Sequence, residues 1–244
     1  MAVPFTLSHP AAVLPLRRLG LPMSAMVTGS MVPDIPVFSA DPSLYRFTHS
    51  ALGIVTAAPA FTLVVLAVWS FLARDALVDL APDPVRRRLA ARARLTGRQW
   101  LLAPAGAALG ALTHVGWDAF THWNRWGVRQ VSWLSAQHGP LPGYRWLQYG
   151  SSVLGLVILT AAVAVHLRAQ PAGPRRPRRH PLAVAVLPAA LAVAAAAGIA
   201  ATLAYAPRGL HAAVFHGAVV SVTAIAASLT LVAGGWRITT RRPG

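Results

Sequence analysis

Residues 100–124 read WLLAPAGAALGALTHVGWDAFTHWN. The run is apolar to about Leu112 and then places His114, Asp118 and His122 at four-residue steps. A helix advances about 100° per residue, so each such step drifts only about 40°. The spacing therefore predicts one helix with all three side chains on one face. Asp118 is also the one acidic residue inside a long hydrophobic stretch of the chain. A carboxylate at that depth needs a cation, a metal or a proton beside it. Two flanking imidazoles are ligands that a borderline divalent metal takes.

Composition fixes the class around this stretch. The 244 residues are 55% hydrophobic and 11% charged, with a mean hydropathy of +0.53. A soluble domain carries roughly 25% charged residues, so the expectation is an all-α, polytopic membrane helical bundle. No basic segment precedes the first apolar run, and no cleaved signal peptide is expected. The net charge is +16, and every one of the 22 basic residues is arginine. The arginines cluster in short loops, as in RRRLAARAR and RRPRRH. That pattern reads as topology signals and contacts with anionic lipids, and no nucleic acid partner is expected. With no cysteine, thiolate metal sites, iron–sulfur clusters and cysteine nucleophiles are excluded. With no glutamate either, the candidate acids are six aspartates.

A helix needs roughly 20 apolar residues to cross a bilayer. Five stretches qualify, at about 54–73, 100–120, 147–168, 182–205 and 210–236. The segment 10–33 is apolar but broken by Pro15, Arg17, Arg18 and Pro22. It predicts two short helices that pack on the bundle or re-enter the membrane. Arginine is dense in 74–99, in 168–181 and from 237 onward, and sparse in 121–146 and 206–209. The positive-inside rule then puts the C-terminus in the cytoplasm and the 121–146 loop outside. Trp100, Trp117, Trp123, Trp126, Trp133 and Trp146 would form an interfacial aromatic belt. The Pro/Arg-rich stretch 168–181 is the obvious seam. It divides a motif-bearing membrane domain, 1–167, from a two-helix membrane scaffold, 182–244.

With that orientation the second span runs outward, and His114, Asp118 and His122 lie toward its outer end. The segment before the first span brings Asp34 (GSMVPDIPVF) and His49 (RFTHSALG) to the same side. His9, in FTLSHPAAVLP, is a further candidate, with Ser8 as a helix cap before Pro10. Each has a plain alternative. Asp34 lies between two prolines and suits a turn, His49 suits an interface, and the stripe itself could only glue helices. His122 could lie beyond the membrane edge. Three of the histidines follow threonine (Thr48, Thr113, Thr121), whose hydroxyls would be natural partners for the second ring nitrogen. A helical threonine more often bonds its own backbone, however. Gln148, in RWLQYGSS, would also reach the pocket, and His211 is a late recruit from the last span. His138, His166, His180 and His216 read as ordinary.

Five motifs in order, FTLSHPAAVLP, GSMxPDIP, THS, GALTHxxWDxFTH and LQYGSS, cover residues 5–152. Together they resemble a family of bacterial integral membrane proteins of unknown function. More distantly, the order His, Pro-Asp, Thr-His-Ser, His-x3-Asp looks like the inner-membrane proteins described as membrane-bound metal-dependent hydrolases. It also looks like the ligand sets of zinc-dependent phospholipases C. The resemblance implies a bacterial inner-membrane protein with His9, Asp34, His49, His114 and Asp118 as metal ligands and His122 as an extension of the stripe. The preferred reading is one or two divalent ions, zinc first, held by His49, His114, Asp118 and Asp34 with His9 and His122 as further ligands. Water ionised by such an ion would attack an ester or phosphodiester of a lipid-like substrate, with Arg46 or Arg125 clamping a phosphate. Three other readings stay open: a proton-coupled transporter or channel working through Asp118 and His114, haem ligation by facing histidines, and a purely structural bundle.

Overall fold

The computed structural model describes residues 6–39, 41–89, 93–174, 177–178 and 183–240. Arg92 of the first basic loop and Arg175, Arg176, Arg179 and His180 of the linker lie outside them, as does the side chain of His211. The chain is nearly all helical, as the composition requires. A 3-10 helix, Thr6–Leu19, comes first. Pro10 and Pro15 deny that segment two of the donors a regular α-helix uses, and Ser8 lies within it rather than capping it. Helix α1 is Met23–Gly29 and α2 is Pro42–Thr48. An apolar helical run α3, Ala51–Leu80, follows, then α4 (Gly97–Thr121), α5 (Gly143–Ala169), α6 (Ala183–Tyr205) and α7 (Leu210–Thr240). A minimal antiparallel hairpin, β1 (Gln137–His138) with β2 (Leu141–Pro142), sits between α4 and α5.

Local chemistry sets the ends of these helices. Asp41 caps α2 by accepting from the amides of Ser43 and Leu44 at 2.9 and 3.0 Å, with Pro42 in the first turn; these bonds hold its carboxyl below the usual carboxylate range. Thr96 and Gln99 form a reciprocal capping box at the start of α4. Within α3, Pro59 has no N–H to offer the Val55 carbonyl, and the helix breaks at Thr56. A π-helical turn interrupts the same run at Val68–Ala73.

Among the described residues, four runs are long and apolar enough to cross a membrane: Ala51–Leu80, Gly143–Ala169, Val184–Arg208 and Ala212–Thr240. The fifth expected span, 100–120, forms α4, which is long enough but not apolar enough to count with them. The reason is compositional. The last third of α4 carries His114, Trp117 and Asp118, and its middle is glycine and alanine.

The chain folds into two compact units. One comprises residues up to Leu66 together with Leu95–Ala164, and the other Ala67–Arg94 together with the chain from Val165 onward. In the first unit, α1 crosses α4 at very short range. A Cβ added at Gly29 would collide with the backbone of Ala107, and one at Gly110 would collide with the Met26 carbonyl. Ala25, Met26, Ala103, Ala107 and Ala111 are wholly buried around this crossing. Side chains this small let two backbones touch, which is how helices gain van der Waals contact where solvent gives no hydrophobic drive. Val32, Ala58 and Ala111 form a second small cluster backed by Ile35, Ile54 and Phe61.

The second unit uses the same device between α6 and α7, where Gly198 faces Ser221 and Gly217 faces Thr202. Its polar contacts are arginine-based. Arg94 grips both oxygens of Asp75 at 3.1 and 2.7 Å. Asp79 accepts from Arg86 and from the Trp236 indole. Arg178 donates to the Asp79 and Ala81 carbonyls and to Asp83.

The crossing of α1 and α4 yields a test. Gly110→Val wedges the two backbones apart, an overpacking cost of at least about 2 kcal/mol. The thermal midpoint of the detergent-purified protein should fall accordingly. Gly116→Ala, on a face of α4 with nothing within 4 Å of the added methyl, should hold it or raise it slightly.

Candidate metal centre

Gly106, Gly110, His114 and Asp118 stand at successive four-residue steps on α4. The face that packs against α1 therefore continues, one turn later, as the face that carries the candidate ligands. Both ligands are buried, at 0 and 1% exposure. Just beyond α1, the 3-10 turn Val32–Asp34 holds Asp34 at 1% exposure. His49, the residue that ends α2, comes in from the other side. Thr48 fixes it there by donating to the Pro33 carbonyl at 2.7 Å, which ties the end of α2 to the turn that bears Asp34.

Four of these groups meet. One ligand atom each from Asp34, His49, His114 and Asp118 lies within 4.8 Å of all the others. His114 Nε2 is 3.4 Å from both Asp34 Oδ1 and Asp118 Oδ2, and His49 Nε2 is 3.6 and 3.5 Å from the same two oxygens. The second nitrogen of each ring is already engaged. His114 Nδ1 lies 2.8 Å from the Ser30 carbonyl, and His49 Nδ1 lies 2.9 Å from the Tyr45 carbonyl. A carbonyl only accepts, so both Nδ1 atoms carry the proton. In the neutral rings both Nε2 atoms then present lone pairs toward two carboxylates. Asp34 Oδ1, His49 Nε2, His114 Nε2 and both oxygens of Asp118 are buried and make no hydrogen bond.

Spacing separates the two ways of neutralising this cluster. Charge-assisted hydrogen bonds run about 2.7–2.9 Å, whereas the atoms here are 3.4–3.6 Å apart. Ligand atoms about 2.0–2.2 Å from one tetrahedral ion stand about 3.3–3.6 Å from each other. The arrangement can hold a metal ion. Without one, protons take its place. Burial opposes the charged form of His49, yet the carboxylates of Asp118 and Asp34 raise it above the ordinary imidazole value. Burial likewise opposes ionisation of Asp34, but the His114 and His49 rings hold its carboxyl below the usual range.

Two further imidazoles border this set. His9, on the 3-10 helix, stacks on His114 with ring centroids 3.9 Å apart and puts Nε2 3.6 Å from Asp118 Oδ1. Burial, and then the His114 ring, lower its pKa to about 4. His122 departs from the expected helical stripe. It is the residue that terminates α4, with extended backbone, so the four-residue rule does not place it. The sharp exit nevertheless returns its Nδ1 to 3.3 Å from Asp118 Oδ1, with its Nε2 3.2 Å from the side-chain nitrogen of Gln148.

The threonines do not serve uniformly as ring partners. Thr113 bonds the Gly110 carbonyl. Thr48 and Thr121 approach their histidines at 3.3 and 3.1 Å but also bond backbone carbonyls. The principal outer acceptors are the carbonyls of Ser30 and Tyr45, which residue types cannot reveal. Thr6, which carries no motif signal, also belongs to this outer layer: its hydroxyl donates to Asp34 Oδ2 at 2.6 Å. Of the arginines proposed for a phosphate, Arg46 is exposed and Arg125 half-buried. Arg125 is close enough to Tyr45 and His122 to act on both.

A cleft of about 180 Å³ opens beside the cluster. Ala11, Ala12, Trp117, Leu154, Gly155 and Ile158 give it apolar walls, and Ser8, His9 and Ser151 give it polar points. His9 thus faces both the cleft and Asp118. Comparison with known proteins places the chain by family alone. It belongs to the family described as Domain of unknown function (DUF4184), whose model matches residues 3–234. No match to the chain was found among curated proteins or solved structures.

Two tests follow from the outer partners and from the exchange of protons for an ion. Removing an outer-partner bond typically weakens metal binding about 10–100-fold, so Thr6→Val should lower affinity in a chelator competition by at least about tenfold. Thr113→Val should leave affinity unchanged. Because His49, held above the ordinary imidazole value by the two carboxylates, must give up its proton to bind an ion, apparent affinity should climb as pH rises above the ordinary imidazole range. Calorimetry in buffers of different ionisation enthalpy should register up to about two protons released per ion.

Proposed function

We propose that this family member is a membrane-embedded protein that holds a divalent ion, zinc first, between Asp34, His49, His114 and Asp118, and uses it to hydrolyse an ester or phosphodiester of a lipid-like substrate. The observation that carries the reading is the set of buried acceptor atoms, spaced at 3.4–3.6 Å with no hydrogen bond among them. Two imidazoles with two carboxylates suit zinc better than magnesium or calcium, which favour all-oxygen sites. An ion there supplies Lewis acidity: it lowers the pKa of water to about 7 and polarises a phosphoryl or carbonyl oxygen.

The protein's own groups do the rest. The Ser30 and Tyr45 carbonyls hold the two rings in one tautomer and one orientation. The apolar cleft ending at His9 suits a hydrocarbon chain. It is smaller than the roughly 300–1,000 Å³ of pockets that engulf a whole ligand, so the substrate's head remains near the cluster. Arg125 fits the phosphate there with its guanidinium fork. In the reaction the oxygen of water bonds to phosphorus or to the carbonyl carbon, the bond to the leaving oxygen breaks, and that oxygen takes up the proton. The motif likeness to metal-dependent hydrolases supports this reaction class. The arginine distribution supports an orientation with the site on the outer face of the membrane and the C-terminus inside.

Metal analysis of the purified protein is the direct test. The wild type should retain stoichiometric ion through dialysis and release it to a strong chelator, together with any esterase or phosphodiesterase activity. His114→Ala and Asp118→Ala should lose both, and Arg125→Ala should keep the ion while raising KM for a phosphodiester. A wild type that takes up no ion sinks the proposal.

A further inference from the structure

The two oxygens of Asp118 face different partners. Oδ2 is the one 3.4 and 3.5 Å from His114 Nε2 and His49 Nε2, on the side of Asp34. Oδ1 is 3.6 Å from His9 Nε2 and 3.3 Å from His122 Nδ1. All three residues on that second side are more than nine-tenths buried. Neither Asp118 Oδ1 nor His9 Nδ1 makes a hydrogen bond. Each of the two imidazoles stands at a distance from Oδ1 that matches the about 3.3–3.6 Å expected between neighbouring ligands of one ion.

We propose that Asp118 is a bridging carboxylate and that His9 and His122 hold a second divalent ion on its Oδ1, making the centre dinuclear. The inference rests on the first ion of the proposed function and extends it. A carboxylate that binds one ion through each oxygen sets them apart at about the 3.5–4 Å of two-metal hydrolytic sites. The origins of the second set of ligands are unlike the first: His9 comes from the N-terminal 3-10 helix and His122 from the exit of α4. Gln148 completes the set. An amide turned over about its last bond puts its oxygen where its nitrogen now meets His122 Nε2. That oxygen then accepts the Nε2 proton and leaves Nδ1 as the ligand atom, the outer-partner arrangement of a metal-bound imidazole. The second ion also lies on the cleft side, because His9 is one of the residues lining the cleft. The first ion is enclosed by residues of at most 7% exposure. An incoming phosphate therefore meets the second ion first.

The experiment counts ions and reads their coupling in the full chain, purified in detergent and loaded with zinc or with manganese. The wild type should carry two zinc ions per chain by elemental analysis. Its manganese form should show an exchange-coupled electron paramagnetic resonance spectrum. His9→Gln and His122→Gln should each fall to one ion, with manganese giving the resolved hyperfine lines of an isolated ion. The retained ion shows that those variants are folded. One ion in the wild type, unchanged in His9→Gln, overturns the second site and leaves the first standing. No ion in the wild type overturns both.

Discussion

Two buried carboxylates that share no arginine are the constraint on which the first unit depends. The chain has six aspartates. Asp75, Asp79 and Asp83 meet arginine and Asp41 caps a helix. Asp34 and Asp118, by contrast, face only imidazoles in the ion pairs of the described residues. Removing a carboxylate from water costs several kcal/mol unless a partner compensates it. The pair needs two positive charges, and the imidazoles let these arrive either as two protons or as one divalent ion. An arginine would close that choice for good, since it does not give up its proton. A chain this rich in arginine that pairs neither carboxylate with one among its described residues has kept the position exchangeable.

Geometry makes the exchange specific. The ring nitrogens facing away from the centre donate to backbone carbonyls, and the Ser30 carbonyl sits where it does because glycine and alanine let α1 lie directly on α4. Ser30 follows α1, where helix carbonyls lack intrahelical partners. Its carbonyl is spare and is directed at His114. The packing of small residues, the loose end of a short helix and the tautomer of a buried ring are therefore one linked arrangement.

Much of this was readable in advance, for a reason tied to composition. Acids are so rare in this chain that Asp118 in an apolar run, Asp34 between prolines and the Thr-His pairs stood out from the background. The structure brings Asp34, His49, His114 and Asp118 together as the motifs implied. What was not legible depends on backbone. The carbonyls of Ser30 and Tyr45 carry no residue signature, and the glycines of α4 looked like ordinary membrane-helix content rather than a contact surface. His122 satisfied the helical spacing yet lies past the helix end, because sequence fixes a helix terminus only to within a residue or two. The same polar residues that mark α4 as functional also lower its hydropathy, so length and periodicity suggest five spans where, among the described residues, four helices are both long and apolar enough.

The four-residue ladder Gly106, Gly110, His114, Asp118 has a consequence for how such a chain can vary. Helix packing and ligand placement share one rotational phase. Inserting or deleting a single residue between Gly110 and His114 would turn both ligands about 100° away from Asp34 and His49 while leaving a well-formed helix. Side chains on the opposite face, such as Leu101 and Leu112, are exposed and free to change identity. The stretch should therefore drift freely in composition on its outer face while its length stays frozen.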